Sequence, residues 1–376
     1  MSKFDHIRPY HDYEVQDVLK RVGDHPMVKA MLKFIYPQAS EEFIKERLTN
    51  CNSIREFQTK IIARGIYNVL SRSSHGLTTS GFDNLQKDTS YLYVSNHRDI
   101  ILDTSLLNVS LFDYDLTMTA SAIGDNLVQK SFLMDLAKIN RNFLVQRGLG
   151  PREMLKSSML LSEYIAKNLL EDNRSVWIAQ REGRTKDGND TTQQGVLKMI
   201  GLGKGNSTPF EYFRKIKIVP VAMSYEFDPT DMLKMPELMA KHYEEEYIKS
   251  TNEDFNSILK GLTGQKKRIH ISVGKPLDNE LTLINNSGEP LNKQYQQLAS
   301  VIDKKIHRQY KLWPTNYLAF DLLNKTNKYI DKYTDKEKRQ FERRIERRVD
   351  KTDPVALNNF LLMYANPVIN KEKVNG

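Results

Sequence analysis

Tyr91-Leu-Tyr-Val-Ser-Asn-His-Arg-Asp-Ile-Ile-Leu-Asp103 changes character at its middle. Residues 91–95 are aromatic and aliphatic and suit a buried strand. From Asp103 onward, Thr-Ser-Leu-Leu continues with the spacing of a helix. A strand therefore delivers the polar corner Ser95-Asn96-His97 to the start of a helix.

The same alternation repeats outward from this point. Further strand candidates lie at 116–121, 142–146, 175–180, 216–225 and 268–273, with helical spacing at 103–111, 127–139 and 152–170. Strands alternating with helices predict an α/β fold, with a mixed, largely buried central sheet flanked by helices. Functional sites in such sheets gather where strands end. Pro220 reads as a bend near a strand boundary, or as an edge-strand proline.

Both ends of the chain read as helical additions. Val28, Met31, Leu32 and Ile35, then Phe57, Ile61, Ile62 and Ile66, recur at three- and four-residue spacing, with Asp24 as the expected cap of the helix opening at Pro26. Near the other end, Thr334 and Glu337 form a capping-box pattern ahead of the narrow stripe Phe341, Ile345 and Val349. Most helices of that kind dock on their own domain and expose their charge. The expected division is 1–75 helical, 76–280 catalytic α/β, and 281–376 helical.

Composition narrows the functional classes. With 376 residues, 39% hydrophobic and 27% charged, the chain is too apolar to be disordered and long enough for a sizeable core. No apolar run approaches the roughly 20 residues that span a bilayer. The polar start, MSKFDHIRPYHDYE, lacks the apolar centre of a secretory signal. The single cysteine, Cys51, excludes an intramolecular disulfide and a multi-cysteine metal site, and fits a reducing compartment. A cytoplasmic protein is expected. The net charge of +9 favours anionic partners such as a lipid headgroup surface, a phosphorylated small molecule, an acidic carrier protein or nucleic acid.

His97 is the residue best suited to chemistry. A neutral imidazole at a strand end can take a proton from an attacking hydroxyl or amine. A carboxylate on its other ring nitrogen would fix the tautomer, as in a triad without its serine. The blander reading is a satisfied loop histidine beside a helix cap.

Four blocks in order resemble the glycerol-phosphate and lysophosphatidic-acid acyltransferase family. They are Ser95-Asn96-His97 through Asp103; Ala120-Ser-Ala-Ile-Gly-Asp through Asn142-Phe-Leu-Val-Gln-Arg147; Trp177-Ile-Ala-Gln-Arg-Glu-Gly-Arg-Thr-Lys-Asp-Gly188; and Ile218-Val-Pro-Val-Ala-Met223. The family pattern places an aspartate five residues after the histidine, where this chain has Leu102. Asp103 lies one residue late, and the extra residue is expected in the turn between strand and helix. Asp99 is the fallback partner.

The resemblance implies transfer of a fatty acyl group from acyl-CoA or acyl-carrier protein to glycerol 3-phosphate or a lysophospholipid, with His97 as general base. Asn96, Arg147, Glu182, Gly183, Arg184 and Lys186 become the candidate substrate-binding residues. Arg147 and Arg184 would bracket an anionic acceptor with Lys186 in support, while Glu182 holds the site or its arginines. Gly183 permits a tight backbone course, and backbone N–H groups near the start of the following helix would stabilise the oxyanion. Neither a cofactor nor a metal is needed. A peripheral position at the inner face of the membrane is expected, and no nucleic-acid partner.

Other signals are weaker. Gly201-Leu-Gly-Lys-Gly205 lacks the spacing and ending of a phosphate-binding loop. A Gly-x-Ser-x-Gly elbow is absent, which disfavours a serine hydrolase. The competing readings are acylation of an amino-acid-containing lipid, an inactive acyltransferase-like scaffold, and a basic nucleic-acid-binding protein.

Overall fold

The computed structural model describes residues 2–375 and joins seven strands in one mixed sheet. The strands are β1 (Ser74–Ser80), β2 (Leu92–Ser95), β3 (Thr119–Gly124), β4 (Asn142–Val145), β5 (Ser175–Ala179), β6 (Ile218–Tyr225) and β7 (Lys267–Val273). Their spatial order is β1-β7-β6-β2-β5-β3-β4. β6, β2, β5, β3 and β4 run parallel; β7 pairs antiparallel to β6, and β1 parallel to β7.

Side chains alternate across this sheet with the two-residue period of a strand. Leu92, Val94, Val176, Ile178 and Ile218 face one core, built with the helices Pro151–Leu170, Gln194–Gly201 and Leu291–Gln309. Tyr93, Trp177, Val219 and Val221 face the other, with Ala63–Ser73, Leu102–Asp113 and Glu253–Thr263. Both faces are covered, so β2 and β6 are buried along their whole length. That is why their sequences are nearly continuous in apolar residues.

The additions build two further cores. Val15, Val18, Leu19, Val22, Val28 and Leu32 pack with Phe132 and Ile139 of the helix Ser131–Ile139. Cys51 is buried in the same cluster. At the other end, Phe341, Ile345 and Val349 pack with Phe360 and Leu361 of the helix Pro354–Asn375 and with Met235 and Leu238 of Asp231–His242. The C-terminal stripe is thus covered by the protein itself. The Thr334–Glu337 capping box is formed.

Three local expectations are corrected. Asp24 ends the preceding helix, and the cap before Pro26 is His25, whose ring accepts from Met27 N at 3.3 Å. Pro220 sits neither at a bend nor on an edge strand, but within β6 between β2 and β7. Its carbonyl accepts from Gly274 N at 2.9 Å, just past the end of β7. Its missing N–H faces the same way, where the ladder has run out, so little is lost. The third concerns β1, absent from the strand candidates. Its SHGLTTS sequence carries one apolar residue, Leu77, and it lies at the sheet edge half in solvent.

Hydrogen bonds to the neighbouring β7 hold this edge. His270 Nδ1 meets Thr78 Oγ1 at 2.8 Å and Nε2 meets Ser80 Oγ at 3.0 Å. Burial, with Lys311 nearby, pushes the His270 imidazole down to about 4. The unfolded chain therefore binds more protons than the native state between pH 4 and the ordinary value of about 6.5. Stability attributable to His270 is complete above that window and is lost as pH falls through it. Thermal melts should show a native Tm that drops more steeply from pH 6.5 to 4 than that of His270→Gln. Parallel profiles would contradict this assignment. Among the described residues, no helix is long and apolar enough to cross a membrane.

Candidate active site

Because β2, β5, β3 and β4 run parallel, their carboxyl ends share one edge of the sheet. His97 follows β2, residues 180–190 follow β5, the segment 125–130 follows β3 and Arg147 follows β4. Residues distant in sequence meet there for that topological reason.

His97 Nδ1 lies 2.8 Å from Asp103 Oδ2. Asp103 is completely buried and His97 retains a narrow exposed edge. Oδ2 also accepts from Arg98 N at 2.6 Å and Asp99 N at 3.0 Å, while Oδ1 accepts from Tyr225 Oη at 2.8 Å. Every other partner of this carboxylate is a donor, so His97 Nδ1 supplies one more proton, which in the neutral tautomer leaves the lone pair on Nε2. The ring stands edge-on to Trp177, with centroids 5.3 Å apart. Thr185 N donates to His97 O at 2.8 Å, tying the loop after β5 to the histidine.

Asp99 does something else. Its Oδ1 accepts from Ile101 N and Leu102 N at 3.0 and 2.9 Å, capping the helix that starts at Leu102. Its Oδ2 is buried without a partner, and burial together with the neighbouring Asp103 pushes this carboxyl up. Asp99 makes no hydrogen bond to His97.

Arg147 Nη1 meets Glu182 Oε1 at 2.5 Å at the exposed rim. Gly183 has a φ of +69°, in the left-handed region that favours glycine. Arg184 is buried; its Nη2 reaches Ser257 Oγ at 3.4 Å and its Nη1 has no protein partner. Lys186 Nζ pairs with Glu237 Oε2 at 2.8 Å, and burial, only partly offset by Glu237, pushes the amine down. Among the described residues, no group of three or more His, Cys, Asp or Glu is placed to hold a metal ion.

The sequence model of the acyltransferase family matches residues 76–224, from within β1 almost to the end of β6. These residues are an acyltransferase domain. Its chemistry is acyl transfer. Among solved structures, the 1-acyl-sn-glycerophosphate (LPA) acyltransferase PlsC from Thermotoga maritima is similar at 11% identity. The match covers 77% of this chain and 92% of that one, with a TM-score of 0.40. No curated protein matched the chain.

The packing of the acyltransferase domain corrects one expectation and narrows another. Asn96, expected to touch substrate, has no exposed surface. Its amide donates to Met223 O at 3.0 Å and Asp190 Oδ2 at 3.2 Å and accepts from Met223 N at 2.8 Å, so it fastens the corner to β6. The backbone N–H groups of residues 98, 99, 101 and 102 are all taken by Asp103 and Asp99, which removes them as oxyanion donors.

Sequence reasoning missed Tyr225, which orients Asp103 from the end of β6. It also missed Asp190, which accepts from Arg98 Nη2 at 2.6 Å. Neither carries a local signal beyond its residue type. Tyr225 closes a strand candidate and Asp190 lies two residues past the third block.

Proposed function

We propose that the acyltransferase domain moves a fatty acyl group from acyl-CoA or acyl-carrier protein to glycerol 3-phosphate or a lysophospholipid, at a membrane face, in glycerophospholipid synthesis. The observation that carries this reading is the 2.8 Å contact between His97 and the buried Asp103 at a strand end open to solvent. His97 Nε2 removes the acceptor hydroxyl proton as the oxygen attacks the thioester carbonyl. The C–S bond then breaks, and the departing thiolate takes the proton back from the imidazolium. Asp103 holds the ring and balances its transient positive charge. No acyl-enzyme is required.

Arg147 and Arg184 are the proposed binders of the acceptor phosphate. Glu182 holds Arg147 in place until phosphate competes for the guanidinium. Lys186, already neutralised by Glu237, adds support only if that pair opens. Because Arg147 is partly exposed, its contribution is screened. Arg147→Ala should raise KM for glycerol 3-phosphate on the order of tenfold with kcat nearly unchanged. Steady-state kinetics against an uncharged monoacylglycerol supplies the control, since that acceptor should be indifferent to the change.

Product identification tests the reading as a whole. The enzyme is incubated with long-chain acyl-CoA or acyl-carrier protein and with glycerol 3-phosphate, lysophosphatidic acid or an amino-acid-containing lysolipid in turn, and the products are weighed by mass spectrometry. A new ester on a phosphate-bearing glycerol is the expected product. An amide, or product from the amino-lipid alone, would replace the proposed acceptor.

A further inference from the structure

The helix Pro151–Leu170 changes its surroundings along its length. Its second half gives Leu161, Tyr164, Ile165 and Leu169 to the core beside the sheet. Its first six residues are all exposed. Met154, Leu155 and Met159 are 55%, 56% and 48% exposed, an apolar group that water alone does not favour.

The glycine-rich turn Gly201-Leu-Gly-Lys-Gly205 packs on the same helix. Ser162 Oγ donates to Ile200 O at 2.7 Å, and a Cβ on Gly203 would lie 2.7 Å from Ser162 O. Close approach of two backbones therefore explains that glycine without any phosphate. Leu202, beside it, is left 43% exposed.

Charge singles out this flank. Residues 150–162 and 194–206 together hold Arg152, Lys156, Lys198 and Lys204 against one acid, Glu153. The whole chain is far more balanced, with 56 basic and 47 acidic residues. Arg152, Lys156 and Lys198 are exposed. Apolar side chains among basic ones are the composition of a surface that inserts shallowly between anionic headgroups. The flank also starts at the carboxyl edge of β4, the edge that carries His97 and Arg147. The C-terminal amphipathic helix offers no such surface, because Phe341, Ile345 and Val349 are covered.

We infer that the exposed half of the helix Pro151–Leu170, with Leu202 beside it, rests on an anionic lipid bilayer and brings the mouth of the site to the membrane. This goes further than, and rests on, the proposal that the acceptor or product is a membrane lipid. Arg152 and Lys156 meet the headgroups while Met154, Leu155 and Met159 enter the boundary with the acyl chains.

Vesicle flotation tests the surface without any catalysis. The full chain is mixed with vesicles of phosphatidylcholine alone, or of phosphatidylcholine with a minority of phosphatidylglycerol, and the floating fraction is measured. The native chain should float with the anionic vesicles and much less with the neutral ones. Met154→Ser/Leu155→Ser/Met159→Ser and Arg152→Glu/Lys156→Glu should each lower partitioning on the order of tenfold. Both should keep the native Tm and native transfer to soluble glycerol 3-phosphate. Variants that float as the native chain does, or a native chain indifferent to anionic vesicles, would overturn the inference. So would a native dimer that the triple variant dissociates with flotation unchanged, since the patch would then face a second copy. Flotation retained without any acyl transfer would overturn the proposed reaction and leave the membrane surface standing.

Discussion

His97→Ala should lower acyl transfer on the order of a thousandfold, the effect expected if the proposed general base is removed. Asp103→Asn should cost on the order of a hundredfold. An amide at that position sets its N–H₂ either against Tyr225 Oη or against Arg98 N, Asp99 N and His97 Nδ1, all of which now donate to the carboxylate, and it removes the negative charge that balances the imidazolium. Asp99→Asn leaves those contacts in place and keeps an oxygen to cap the helix, so its rate should stay within a few-fold of native. The ranking His97→Ala, Asp103→Asn, Asp99→Asn, measured as kcat/KM on folded protein, distinguishes the two aspartates. An Asp99→Asn defect as large as that of Asp103→Asn would show that the turn, rather than the dyad, limits activity.

The largest effect on stability is expected at Asp231, far from the chemistry. Its carboxylate accepts from Arg344 Nε at 2.7 Å, Arg348 Nε at 2.9 Å and Tyr364 Oη at 2.7 Å, and it is almost wholly buried. Arg344 also donates to Asp228 O, and Asp228 forms an ion pair with the buried Lys234, whose Nζ reaches Arg98 O at 3.1 Å. A chain of buried charges thus runs from the C-terminal helices to the residue after His97. Asp231→Ala leaves two guanidinium groups and a hydroxyl without their acceptor, which should cost about 3–5 kcal/mol. Thermal melts should register a fall in Tm on the order of 10 °C. Replacing Asp231 and Arg344 together with Leu and Met should recover much of that loss, because a desolvated ion pair contributes less than its breakage costs. A single variant as stable as native would show that the network adds nothing.

Elements with dense local signals were legible in the sequence, and elements defined by their neighbours were not. β2, β5 and β6 are buried on both faces, so their aliphatic and aromatic runs declare them. β1 is a strand only because β7 offers it partners, and a polar edge segment has no periodicity to read. Pro220 misleads for a related reason: its tolerance depends on where β7 stops. At the site, Asp103 stood among the candidates beside His97, and the two side chains meet at 2.8 Å. That Asp99 closes the turn between them follows from backbone directions no sequence prints. Asn96 belongs to the same block as His97, yet its side chain points back to β6. Tyr225 and Asp190 reach the site across 122 and 94 residues of chain, through sheet order alone.

Release of free thiol from a long-chain acyl-CoA, followed with and without acceptor at enzyme concentrations high enough to see one turnover, tests direct transfer by the His97–Asp103 pair. The expected result is release only when glycerol 3-phosphate or a lysophospholipid is present, with one ester formed per thiol and no early burst. A burst equal to the enzyme concentration in the absence of acceptor would contradict direct transfer, because it requires an acyl-enzyme. Acceptor-dependent release that survives His97→Ala would contradict the assignment of the base.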